Sequence, residues 1–190
     1  LHVKRHSFPT RRSSDLQPLS IDKDLDVHAS GTVALNAMNG VLVATGTFGL
    51  DLGQVSTTAP SNTVSFTNAS AVSLTLSGAA VFVGTGGSLS NATAAANVVN
   101  GTLGFGGTVT TLNVVSIKNL NGGNALSYLG VDVIGLTADL IGLESTLEFH
   151  ASGVNVKVNK ATDSDGNALT IPAKLDWDSL STSGVTLQAL

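Results

Sequence analysis

Cysteine is absent from the 190 residues, so neither a disulfide framework nor a thiolate metal site is available. Aromatic side chains are scarce, with one Trp, one Tyr and six Phe. That is too few for the two ring girdles of an outer-membrane barrel or for the exposed rings of a carbohydrate platform. No apolar run reaches the length of about 18 that marks a transmembrane helix. Arginine does not occur after Arg12.

The first residues explain that asymmetry. Ser7-Phe8-Pro9-Thr10-Arg11-Arg12-Ser13-Ser14-Asp15-Leu16 resembles the in-frame translation of the universal adapter of short-read DNA sequencing libraries, and His6 fits the preceding codon. Residues 1–16 therefore read as an artefactual or disordered segment fused to an open gene fragment, and they are set aside from fold reasoning. A basic targeting peptide would need an apolar stretch after Lys4, Arg5, Arg11 and Arg12, but Gln17-Pro18-Leu19-Ser20 opens a polar one. Without the segment, five Lys stand against twelve Asp and Glu, and the net charge moves from -4 to -7. Such a surface repels nucleic acid phosphates and anionic lipid heads, so neither is expected as a partner.

What the chain has in abundance is Gly, Ser, Thr, Asn, Val, Ala and Leu. Low charge with many β-branched and small residues predicts an all-β protein. Its clearest internal feature is a repeat. Leu25-Asp26-Val27-His28-Ala29-Ser30-Gly31 returns as Leu147-Glu148-Phe149-His150-Ala151-Ser152-Gly153, and Leu50-Asp51-Leu52 is echoed by Leu175-Asp176-Trp177. The expected organisation is a first β-repeat over 17–146 and the truncated start of a second over 147–190.

Period-two alternation predicts long strands. Residues 24–35 alternate, Asn39-Gly40 suits a type I′ hairpin turn, and 41–55 alternates again with a glycine-marked change of phase near Gly46 to Gly49 that predicts a β-bulge. Residues 56–62, with Pro60, read as a loop. Alternation resumes at Val64 and Phe66 and runs, past a second bulge at Gly78, toward Leu89. Residues 90–100 hold at most one helical turn. Residues 101–117 should pair back on the preceding strand, and residues 121–124 form a turn. Leu136, Leu140, Leu143 and Leu147 also fit helical spacing, but Gly135 and Gly142 favour strand. The expectation is an antiparallel meander of long, bulged strands, as an elongated sheet or sandwich.

Few residues invite chemistry. Asp163, Asp165 and Asn167 with Gly166 have the opening spacing of a calcium loop, but the bidentate Glu of an EF-hand is replaced by Lys174. An ordinary turn is the stronger reading, with peripheral calcium as its rival. His28 and His150 stand at the polar phase of their strands, with Asp26 and Glu148 nearby on the same face. Pairing with a carboxylate is expected of each rather than metal ligation, because equivalent positions in successive repeats lie far apart. Trp177 is expected to pack on the core, and Pro172 to mark an edge or bulge. No constellation of nucleophile, base and acid can be assembled, and the glycine clusters lie inside strands rather than before a helix, so neither an enzyme nor a bound cofactor is expected.

With its repeat and its acidic, Arg-free, Cys-free β composition, the chain resembles the adhesin-like β-repeat units of very large bacterial surface or secreted proteins. The resemblance implies a non-catalytic role in adhesion, spacing or matrix building outside the cell, with neighbouring repeats of the same chain as the first partners. The alternatives are a fragment of an outer-membrane β-barrel and a β groove or sandwich holding lipid or carbohydrate.

Overall fold

The computed structural model describes residues 21–59, 64–120, 125–170, 173–187 and 190. Its regular structure is β1 (Leu25–Ala37), β2 (Leu42–Ala59), β3 (Ala69–Thr85), β4 (Ser88–Leu89), β5 (Val98–Val99), β6 (Leu103–Asn119), β7 (Leu126–Ile141), β8 (His150–Thr162) and β9 (Ser181–Gly184). The described residues contain no helix. Seven strands form one antiparallel sheet in the order β1-β2-β3-β6-β7-β8, with β9 on β2, while β4 and β5 pair separately. The expected all-β meander of long strands is what forms, and it stays open rather than closing into a barrel.

Local chemistry accounts for the hairpins. At the β1–β2 turn Asn39 and Gly40 have φ of 56° and 87°, as the type I′ turn demands, and the Val41 N–H donates to the Met38 carbonyl. The bulge expected in β2 does not form: β2 pairs with β1 without a shift from Leu42 to Leu52, and its alternation only passes its apolar residues from one face to the other, while the register with β3 shifts between Thr45 and Thr47. The extra residue belongs to β3, where Gly78 has a φ of 56°. β6 matches β3 without a shift, so it carries the extra residue too, and so does β7, where Gly135 has a φ of 66°. In β8 the compensating residue comes slightly later, near Gly153. A line of bulges thus crosses the sheet at mid-height, between its β1–β2 edge and β8.

Directly opposed residues of antiparallel strands point to the same face, so the register sorts the side chains. One face carries Gly53, Ala71, Ile117, Tyr128 and Ala161 in one row and Val55 with Ala69 in the next. These residues form the buried core together with Phe66, Val115, Leu175 and Val185, covered by the chain around Phe66 and by the segment that follows β8. Near the β1–β2 turn the same face buries Val43 and Phe82, and Ala96 of the β4–β5 segment is buried as well. Between these two covered ends the face is polar, with rows such as Thr47, Ser77 and Thr111. The opposite face is apolar over most of its length, as in the row Ala29, Leu50, Leu74, Val114, Val131 and Val158, and turns polar only at one end, where Lys118 and Lys160 lie.

Several expectations fail for reasons of tertiary context. Ser56 to Ala59 are strand rather than loop, because β9 pairs with them beyond the start of β1. At that junction the Gln54 N–H donates to the Asp24 carbonyl and the Gln54 carbonyl accepts from the Val185 N–H. Val64 and Phe66 do not open β3, which starts at Ala69 after the left-handed Asn68. β3 ends at Thr85, so Leu89 belongs to a separate short strand. Leu147 to Phe149 precede β8, with the Leu147 N–H closing a turn onto the Leu143 carbonyl. The 146/147 boundary falls in this connection. Leu175-Asp176-Trp177 is not a strand and so is no structural copy of the β2 segment it echoes. Residues 1–16, Pro60, the 121–124 turn and Pro172 lie outside the described residues.

Candidate functional site

The repeated histidines have carboxylate partners, but not the ones two residues away. His28 of β1 opposes Asp51 of β2, with Nδ1 2.5 Å from Oδ1. His150 of β8 opposes Asp139 of β7, with the corresponding atoms 2.8 Å apart. Asp26 and Glu148 are therefore not the hydrogen-bonding partners, because neighbours across a ladder come closer than residues two apart along a strand. The hydrogen bond to the Asp139 carboxylate, which outweighs a desolvation cost and is aided by the charges of Asp139, Glu148 and Glu144, holds the His150 pKa above its ordinary 6.5.

The row containing the first pair continues to Ser73 on β3, so His28, Asp51 and Ser73 lie side by side on one face. A catalytic triad needs the imidazole between hydroxyl and carboxylate. Here the carboxylate is in the middle and Ser73 is buried, so the row cannot activate the serine.

The Asp163 loop is a closed turn. Asp163 Oδ1 accepts from the N–H groups of Asp165 at 2.9 Å and Asn167 at 2.8 Å, and Oδ2 accepts from the Asn167 side-chain amide at 3.1 Å. Gly166 has a φ of 84°, which a turn residue of this kind requires. These bonds, led by the Asn167 amide, lower the Asp163 pKa below 3.8. The carboxylate that would open a calcium loop thus accepts the turn's own hydrogen bonds. Among the described residues no three His, Cys, Asp or Glu gather as a metal site would need.

Among the described residues one charged group is buried. Asp132 is 5% exposed and sits between Asn113 and Lys157 in a single cross-strand row, with the Lys157 ammonium 3.6 Å from Oδ2. Its Oδ1 has no hydrogen-bond partner among the described residues. The indole N–H of Trp177 is likewise buried without one, although the ring packs on the core as expected.

The remaining features of functional scale are surfaces. β1 and β8 are the outer strands of the sheet, and the apolar face has no chain over it among the described residues. Sequence reading found each alternating strand but not their union into one apolar face, because that depends on register. The signal was present in the phase change at Gly78, which lies on the bulge line.

These features define an open, two-faced antiparallel sheet with free outer edges and one uncovered face among the described residues. No helix among the described residues is long and apolar enough to cross a membrane. No protein family matches the chain, and neither the curated proteins nor the solved structures contain a match to it.

Proposed function

We propose that the chain is a non-catalytic structural repeat segment of a large secreted or cell-surface bacterial protein, with a role in adhesion, spacing or matrix building. The observation that carries this reading is the position of β8. It opens on the repeated His-Ala-Ser-Gly, it lies against β7, and its histidine pairs with an aspartate across the ladder as His28 does with Asp51. Among the described residues the outer edge of β8 is free to pair with a strand of a neighbouring unit. Repeats that stack in this way bury between neighbours what one unit leaves open. The acidic composition, with no Arg after Arg12, suits exposure outside the cell without attraction to nucleic acid.

A long DNA read through the locus tests this. Further copies of the His-Ala-Ser-Gly strand in the same frame are expected, and a native stop near Leu190 would end the array reading.

A second reading, a fragment of an outer-membrane barrel, draws support from the apolar face backed by a polar one. The buried core on the polar side and the unpaired edges of β1 and β8 speak against it.

A further inference from the structure

The apolar face is unusual in extent. It runs from the row of Val27 and Leu52 to the row of Leu42 and Val83, across six strands. Between the row of Ala29 and that of Leu42 no charged side chain lies on it. Six strands about 4.8 Å apart, and about ten residues of about 3.4 Å each, give on the order of 1,000 Å². Monomeric soluble proteins rarely leave an apolar patch of more than a few hundred Å² in water. Exposure on this face is high for such side chains, with Val72 at 39%, Val158 at 42% and Phe105 at 51%.

We infer that this face is covered in solution by the same face of a second copy of the sheet, forming a two-layered sandwich. About 1,000 Å² per copy exceeds the roughly 800 Å² per partner of a standard stable interface. A face whose centre carries no charge finds its best match in one that is equally uncharged, and an identical copy has the same extent and the same strand spacing. The side chains are mostly Val, Leu and Ala, the sizes that interdigitate between sheets about 10 Å apart. Where the bulge line crosses this face it leaves a hollow of about 310 Å³ walled by Val33, Leu35, Leu76, Val81, Val109 and Leu112, which has room for side chains of the opposing sheet. Lipid fits less well. Phe105 and Phe149, 6.2 Å apart at one rim, do not make a girdle, and the free strand edges would leave backbone groups unpaired in hydrocarbon.

This inference stands on the face and not on the array reading, which concerns the edges. The test is sedimentation equilibrium of the full chain without detergent, compared with Leu74→Glu in the centre of the face and Val158→Lys on its outer strand. Circular dichroism confirms that each variant is folded. Self-association of the parent chain, weakened at least a hundredfold by either folded variant, is the expected result. A parent chain that stays monomeric at high concentration overturns the inference. Association that neither folded variant weakens overturns it as well, and leaves edge pairing, hence the array reading, intact. Binding to phosphatidylcholine vesicles in place of self-association would assign the face to lipid and overturn it too.

Discussion

His150 Nδ1 lies 2.8 Å from Asp139 Oδ1 across the β7–β8 ladder, the same relation that joins His28 to Asp51 at the other side of the sheet. Asp139 raises the His150 pKa above 6.5. The sign follows by linkage: the stabilisation is fully present below about pH 6.5 and is lost as pH rises through the folded-state pKa. Both groups are exposed, so the effect is small and weakens with salt. Asp139→Asn should bring the His150 titration, followed by NMR of the imidazole protons, back toward 6.5. An unchanged midpoint would sink the pairing.

Asp163 shifts in the opposite direction. Its pKa lies below 3.8, so the turn is stabilised above that pH and loses the contribution as pH falls through the folded value. Asn167→Ala removes the leading hydrogen bond and should raise the Asp163 pKa, measured by carboxyl carbon NMR. Because the carboxylate is already engaged, millimolar calcium should leave the melting temperature unchanged, and a clear rise would show a competing ion site.

Two isoleucines of one face report where the core ends. Ile117 is fully buried and Ile134 is 42% exposed. Urea unfolding should show a loss of about 2–5 kcal/mol for Ile117→Ala. For Ile134→Ala it should show about 0.5 kcal/mol or less. Equal losses would mean that the polar middle of the face is covered.

Gly130 lies under the single tryptophan. A Cβ there would stand 2.8 Å from Cε2 of Trp177, closer than packed carbons allow. Gly130→Ala should therefore displace the indole, shift its emission to the red and destabilise the fold. Emission identical to that of the parent chain would show that the segment after β8 does not rest on β7.

The alternating stretches were legible because a strand half-buried on a sheet writes its environment into every second residue. The bulge at Gly78 was legible for the same reason, since its phase change is a physical displacement, whereas around Gly46 the apolar residues of β2 change face on a regular strand. Ser56 to Ala59 misled because Pro60 and neighbouring Ser and Thr signal a loop locally, whereas β9, some 120 residues away in sequence, gives them a partner. The histidines were expected to pair with a carboxylate, but the partner could be named only once the register was known. Asp51 had nonetheless stood out as the centre of the Leu50-Asp51-Leu52 echo. The echo at Leu175-Asp176-Trp177 carried no such meaning: three residues are too few to fix a backbone, and there Asp176 accepts from the Ser179 hydroxyl instead.

The bulge line has a consequence for how the sequence can vary. Below it and above it the strands obey two different parities, and β3, β6 and β7 change parity together. A one-residue deletion at Gly78 alone would turn the outer part of β3 inside out, sending Val81 and Val83 to the side of the polar rows and Phe82 into solvent. Strand length here is a shared property of neighbours: a residue can be gained or lost at mid-height only in several strands in concert, so substitutions are tolerated far more readily than changes of length.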